Sequence, residues 1–223
     1  MPDLSPILRG VRIVHQDARF VVVDKPSGLL SVPGIGPEKT DCVVSRIHAA
    51  LYRTQPGEAP LDAGRLIVHR LDMDTSGLMV VALDGGAQRD LSRQFEERVP
   101  EKRYVALVDG IVFPDEGLID LPMRLDIENR PHQIVDHVYG KPAKTFFRVL
   151  SRETDRTRVE FRPVTGRTHQ IRVHAARGLG HPIVGDVLYG TGGGGRLMLH
   201  AAELSFLAPG TPTRLSFHSS PEF

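Results

Sequence analysis

The chain has 223 residues, 40% of them apolar, enough to build a real core in one large domain or two small ones. No apolar run approaches the roughly 20 residues of a membrane span, Arg9 interrupts the opening MPDLSPILRGV where a signal-peptide core would form, and the lone Cys42 excludes an internal disulfide and a cysteine-based zinc knot, so a cytoplasmic protein is expected. The net charge of +1 is small for a nonspecific nucleic-acid binder; only Lys25, Lys39, Lys102, Lys141 and Lys144 among the 28 basic residues are lysine, but an arginine bias also follows from a GC-rich genome, so composition alone favours no partner.

Residues 20–23 are apolar, mostly β-branched and closed by Asp24, Lys25, Pro26, Ser27 and Gly28, which predicts a buried strand entering a turn. Pro33, Gly34, Gly36 and Pro37 make 31–41 a loop. Ile67 and Val68 read as the end of a strand and 77–83 as another, so the polar segment between them is expected on a turn flanked by rigid elements. Ala87, Leu91 and Phe95 recur at helical spacing up to Pro100, and 103–108 reads as a strand. Arg158, Glu160 and Arg162 alternate with Val159, Phe161 and Pro163 in a half-exposed strand. Thr165 and Gly166 then turn the chain into a helix carrying His169, Arg172 and His174, which Gly178, Gly180 and Pro182 end. Two more strands are expected at 203–207 and 214–218, joined by a turn at 209–212. Strands dominate without regular alternation or repeat, which predicts an α+β fold built on a largely antiparallel mixed sheet, as a single domain over 1–223. The glycine run at 192–195 lacks the Lys and Ser/Thr of a phosphate-binding loop and is expected to be a flexible loop.

The segment HRLDMDTSGL at 69–78 packs two carboxylates, an imidazole, a guanidinium and two hydroxyls between strands. Asp74, Thr75 and Ser76 fit a tight turn that bonds its own backbone, with Gly77 relieving strain. Asp72 has no such local requirement, so its carboxylate is a candidate nucleophile or general base. The two aspartates and ten histidines, among them His169, His174, His181 and His200, also raise a metal-dependent hydrolase. Against it, His169 and His174 are five apart, which a helix turns to different faces, and HExxH is absent. Ser76 lacks the GxSxG elbow of a serine hydrolase.

Taken together, HRLDMDTSGL at 69–78, KRYVALVDG at 102–110, GRTHQIRVH at 166–174 with GHPIVGD at 180–186, and LMLHA at 197–201 resemble the ordered motifs of RluA-type pseudouridine synthases. DKPSGLL at 24–30 resembles that family's opening motif, and the resemblance runs from about residue 18 to the C-terminus. The short length, NRP at 129–131 and GKPA at 140–143 are most similar to its members that act on both rRNA and tRNA.

The resemblance implies a pseudouridine synthase catalytic domain and roles for individual residues. Asp72, not Asp74, matches the nucleophile. Arg70 matches the residue inserted where the flipped uridine leaves the stack, a phosphate contact being its plainer alternative. Tyr104 matches the tyrosine that stacks on the flipped base. Arg172 matches the basic partner of the nucleophile, where a guanidinium favours the charged carboxylate and aims it. His69 and Arg167 stand with Arg70 as RNA-binding residues, and Leu199 matches an apolar residue lining the base pocket, with a core position as its alternative.

The implied reaction breaks the bond from ribose to uracil nitrogen, turns the base and rejoins the sugar at carbon 5. It needs no cofactor and no metal, only a pocket that holds a detached base away from water. Whether Asp72 attacks the ribose, attacks the ring or assists a glycal route stays open. The expected partner is RNA, a stem-loop of rRNA and/or tRNA read largely by shape, with no membrane contact and the protein a monomer. The first motif starts near residue 20, so no separate S4-like RNA-binding domain is expected; the loop at 31–41 and residues 129–132 are candidate substrate contacts. The rivals are a catalytically silent RNA-binding protein, against which Asp72, Tyr104 and Arg172 stand together, and the metal-dependent hydrolase.

Overall fold

The computed structural model describes residues 10–34, 36, 39–54, 67–193 and 195–223. Positions 35, 37 and 38 of the expected loop, and Gly194 of the glycine run, lie outside the described residues. In chain order the elements are β1 (Arg12–Gln16), β2 (Phe20–Lys25), α1 (Val43–Thr54), β3 (Ser76–Ala82), α2 (Gly85–Glu96), β4 (Glu101–Asp109), β5 (Glu116–Asp120), β6 (Met123–Leu125), β7 (Gln133–Val135), β8 (Lys144–Arg152), β9 (Arg156–Pro163), α3 (Gln170–Val173), a π-helical stretch (His174–Leu179), β10 (Leu199–Leu207) and β11 (Arg214–His218). The fold is α+β. The chain divides into two compact units, the first Met1–Glu101 with Glu203–Ser219, the second Lys102–Ala202 with Ser220–Phe223.

In the first unit β2 lies between β1 and β3, and the later part of β10 carries β11 as an antiparallel partner. The register sets Phe20 opposite Ala82 and Val22 opposite Val80. These side chains, with Leu78, Leu204 and Phe206, form one buried cluster against Ala87 and Leu91 of α2. Complete burial of a side chain such as Leu91 contributes about 1.5–3 kcal/mol. The helix starts at Gly85 because Asp84, in extended conformation, accepts the N–H groups of Gly86 and Ala87 at 2.7 and 2.8 Å.

One sequence expectation fails here. Ile67 and Val68 are not strand. β3 already has β2 and β10 as neighbours, which leaves no edge for them. Val68 instead packs on the cluster, and the Ile67 carbonyl accepts the Gln88 side-chain amide at 3.1 Å.

In the second unit the strand order is β4, β9, β8, β5, each pair antiparallel, with β6 and β7 forming a separate hairpin. The half-exposed strand expected at 158–163 is β9, whose Val159 and Phe161 enter the core. Ile171 and Ala175 pack into that core, while Val173 turns to a smaller cluster with Met123 and Ala143. Arg172 lies between those two anchors and is buried. The α-helical part is short, and the chain continues as a π-helical stretch, a form often met at functional sites. His169 is not on the helix, as the sequence reading had it, but caps it at φ 55, in the left-handed region a helix interior excludes.

Candidate active site

The turn that presents Asp72 is pinned on both sides by groups from the opening motif and from Ser31, the residue that follows it. Before it, the Ser31 hydroxyl donates to the Leu71 carbonyl at 2.7 Å and accepts the Leu71 N–H at 3.0 Å. After it, the buried Lys25 ammonium donates to the carbonyls of Met73, Leu29 and Pro26 at 2.7, 2.7 and 2.9 Å. The Gly28 N–H also reaches the Met73 carbonyl at 3.0 Å, and Ser27 Oγ donates to the Asp74 carbonyl at 2.7 Å. Asp72 closes the turn through its own carbonyl, which accepts the Thr75 N–H at 3.2 Å, and its side chain is half-buried. A rigid loop backbone of this kind fixes where a carboxylate points.

Burial pushes the Lys25 ammonium down to about 8, opposed by the negative charges of Asp74 and then Asp72. Sequence reasoning gave Lys25 no role beyond closing a strand, and Ser31 only a place in the loop at 31–41 expected to contact substrate. The available signal was a lysine ending an apolar strand run immediately before Pro26 and Gly28.

In the second unit, Arg172 is held by Asp186. Its Nε and one Nη donate to the two carboxylate oxygens at 2.8 and 2.7 Å, and the two side chains are 4% and 0% exposed. Burial pushes the Asp186 carboxyl up, but the bond to Arg172, the arginine charge and the N–H groups of Leu188 and Tyr189 outweigh it and leave the carboxyl below its usual range. Those N–H groups lie 2.9 and 3.1 Å from Oδ1. The turn into Asp186 requires glycine, since Gly185 has φ +78 and a Cβ there would come within 2.1 Å of the Arg196 carbonyl.

Gln170 organises the approach to this helix. Its carbonyl oxygen accepts from Thr165 Oγ1 at 2.7 Å and from the Arg167 N–H at 3.0 Å, and its NH2 donates to the Lys144 carbonyl and Thr145 Oγ1 at 3.0 and 2.9 Å. A buried amide so fully bonded locks the turn that leads into α3. Asp186, Gln170 and Tyr189 were also missed, although each falls in or beside a motif already singled out.

The remaining candidates are placed as follows. Tyr104, half-buried on β4 opposite Phe161, packs against the same core cluster that holds Leu199 and Ile171. Leu199 is 3% exposed. Arg167 is half-buried and donates through Nε to the Pro142 carbonyl at 3.2 Å. In the first unit Arg70 is exposed. His69 stacks on Phe95 with ring centroids 4.4 Å apart, and its Nε2 accepts the Val80 N–H at 3.0 Å. His174 is buried with Nδ1 2.9 Å from Thr145 Oγ1 and Nε2 3.3 Å from the Leu121 carbonyl, and burial pulls its pKa down. His181 Nδ1 lies 2.7 Å from the Asp109 carbonyl. Among the described residues no three of His, Cys, Asp or Glu gather as a metal would require.

A family model described as RNA pseudouridylate synthase matches residues 19–177. The chain is 45% identical over 216 residues to the dual-specificity RNA pseudouridine synthase RluA of Yersinia pestis, covering 95% of this chain and 99% of that one. It is 46% identical over 227 residues to the protein of the same name from Pasteurella multocida, covering 100% of this chain and 97% of that one. Among solved structures, human RNA Pseudouridylate Synthase Domain Containing 4 matches with a TM-score of 0.76 at 27% identity, over 98% of this chain and 90% of that one. No described helix is long and apolar enough to cross a membrane.

Proposed function

As a member of the RNA pseudouridylate synthase family the chain is a pseudouridine synthase, and we propose that it acts on stem-loops of both rRNA and tRNA with Asp72 as its nucleophile. The observation that carries the role of Asp72 is the pinned turn: Leu71 and Met73, its two neighbours, are fixed through their backbones by Ser31, Lys25 and Gly28. Arg172 serves as the cation paired with that nucleophile, and Tyr104 stacks on the extracted uracil. Arg70, exposed on the same segment, occupies the gap the base leaves or binds the phosphate beside it. His69, Arg167 and Leu199 complete the RNA-contacting set in this reading. The dual substrate range rests on the two relatives, whose names carry dual specificity.

The test is Asp72→Asn, which keeps side-chain size and removes the charge. Release of tritium from carbon 5 of labelled uridine reports the reaction on an rRNA stem-loop and on a tRNA. The variant is expected to lose at least ~1,000-fold in rate, as loss of a nucleophile does, with thermal midpoint and RNA affinity near those of the parent. Persisting activity refutes the role of Asp72. Activity of the parent on one RNA class alone refutes dual specificity. Arg70→Ala is expected to slow the reaction on the stem-loop more than on unstructured RNA of the same sequence; equal slowing counts against insertion.

A further inference from the structure

Tyr189 is used at both ends, and no role in the reaction has been assigned to it. Its ring lies under the guanidinium of Arg172, with the guanidinium carbon 5.2 Å from the ring centroid, within the range of a cation–π contact. Its backbone N–H is bonded to Asp186, the carboxylate that also grips Arg172. The ring and the charge partner of Arg172 are therefore set by one four-residue turn. At the other end, the Tyr189 hydroxyl accepts the Gln133 N–H of β7 at 2.8 Å and lies 2.7 Å from His169 Nδ1. Its ring also meets the rings of His132 and His169 edge-on, at 5.8 and 5.6 Å.

His169 is one of two non-glycine residues with positive φ among those described, the other being Arg98. A residue held in that region persists only where its surroundings fix it, and the bond to Tyr189 is one such fixture. At the hydroxyl end, the loop of the β6–β7 hairpin and the turn after β7 are closed by local polar groups: Asp126 accepts the N–H groups of Glu128 and Asn129 and the Asn129 side chain, and beyond β7 Asp136 pairs with Arg124 and accepts the N–H groups of Val138 and Tyr139. This leaves Ile127, Val138 and Tyr139 at 69%, 78% and 79% exposure. A cleft of about 760 Å³, lined in part by Asn129, His132, Gln133, His137, Arg177 and Tyr189, runs along the hairpin. Exposed aromatic and apolar side chains beside histidines and arginines match the stacking and phosphate contacts that unpaired RNA offers.

We propose that Tyr189 is a positioning residue with two separable duties: its ring orients the Arg172 guanidinium for the reaction, and its hydroxyl fixes the β6–β7 hairpin as a face for the RNA substrate. The ring duty rests on the reading of Arg172 as the partner of the nucleophile. The two duties predict opposite kinetic signatures. Tyr189→Phe keeps the ring and drops the hydroxyl. It should leave the single-turnover rate on a saturating stem-loop within about twofold of the parent and raise KM by about fivefold, the worth of one hydrogen bond. Tyr189→Leu removes the ring as well, and its single-turnover rate should fall by about tenfold or more, the worth of a desolvated cation–π contact.

Circular dichroism and thermal midpoints identify the folded variants. Tyr189→Met, longer and more adaptable, replaces Tyr189→Leu if the latter does not fold. A purely structural role would lower the midpoint while leaving the single-turnover rate of folded protein unchanged, and that result in Tyr189→Leu or Tyr189→Met overturns the ring duty. Equal rate loss in Tyr189→Phe and Tyr189→Leu also overturns it. An unchanged KM in Tyr189→Phe overturns the hydroxyl duty. Arg172→Lys is measured in parallel: parental activity there refutes the reading of Arg172, whereas a slow Arg172→Lys beside a fast Tyr189→Leu refutes the ring duty alone.

Discussion

The two units hold their principal charged residues by opposite means. Asp72 stands on a turn, and what is fixed there is the backbone on either side of it, through carbonyls that Lys25 and Ser31 engage. Arg172 stands on the short α3, whose entry Gln170 ties down, and what is fixed there besides is the side chain itself, by the Asp186 carboxylate and the Tyr189 ring. A turn has few internal hydrogen bonds, so its carbonyls must find donors elsewhere or cost free energy. On α3 the further burden is the charge on a long, flexible side chain, buried together with its partner Asp186. The difference is open to attack from either side.

Among changes to the groups that hold these two residues, the largest effect is expected from Asp186→Asn. Removing one charge of a buried pair leaves the other uncompensated, at about 3–5 kcal/mol, and a guanidinium displaced by about 1 Å slows the reaction by about 100-fold. Thermal unfolding and single-turnover kinetics measure the two losses. The pH dependence carries the same signature with a definite sign. Asp186 sits below its usual range in the folded protein, so its contribution is present above about pH 4 and is lost as pH falls through the lower folded value. Stability of the parent therefore declines more steeply on acidification than that of Asp186→Asn. Parallel acid limbs would show that Asp186 does not bear the charge of Arg172.

Lys25→Met tests the turn. The methionine fills the space without desolvating a charge, but it leaves the carbonyls of Met73, Leu29 and Pro26 without this donor, for a net loss of about 1–3 kcal/mol. For a lysine pushed down to about 8 from 10.5, the unfolded chain holds the proton across that interval and the folded one does not. Stability therefore rises from pH 8 to 10.5 in the parent. Burial pushes the Lys102 ammonium down as well, so the variant should keep only the part of the rise that Lys102 supplies in a series of urea melts, and an undiminished rise would mean that Lys25 does not titrate there.

The sequence shows the turn more clearly than its supports, and the helix more clearly than its partners. β2, β3 and β4 were legible as short apolar runs, buried almost throughout in β2 and β3, and α2 and β9 because each buries one face at one period: Ala87 and Leu91, then Val159 and Phe161. β8 was not legible, because Phe146 and Leu150 on its exposed face blur the alternation set by Thr145 and Phe147 on the buried one. α1 was passed over although Val43, Val44, Ile47 and Ala50 recur at helical spacing and are fully buried. Asp72 could be singled out over Asp74 because the register of HRLDMDTSGL, which is local, points to it. Lys25, Gln170 and Asp186 escaped because their duty is long-range: a buried polar side chain shows its partner only once the chain has folded, as with Lys25 and Met73, 48 positions apart.

The smallest expected effect sharpens the comparison most. Ser31→Ala deletes a hydroxyl that is both donor to and acceptor from Leu71, one residue ahead of Asp72, while leaving Lys25 and Gly28 on Met73. About 1–2 kcal/mol of stability should be lost, since two buried backbone groups lose their partner. If the turn is held by its backbone, the reaction should slow by more than that loss of stability explains, because Asp72 is then free to swing at constant charge. Measured under single turnover at a temperature where the variant is fully folded, a rate within twofold of the parent would place the whole burden of holding Asp72 on Lys25 and Gly28, on the far side of the turn.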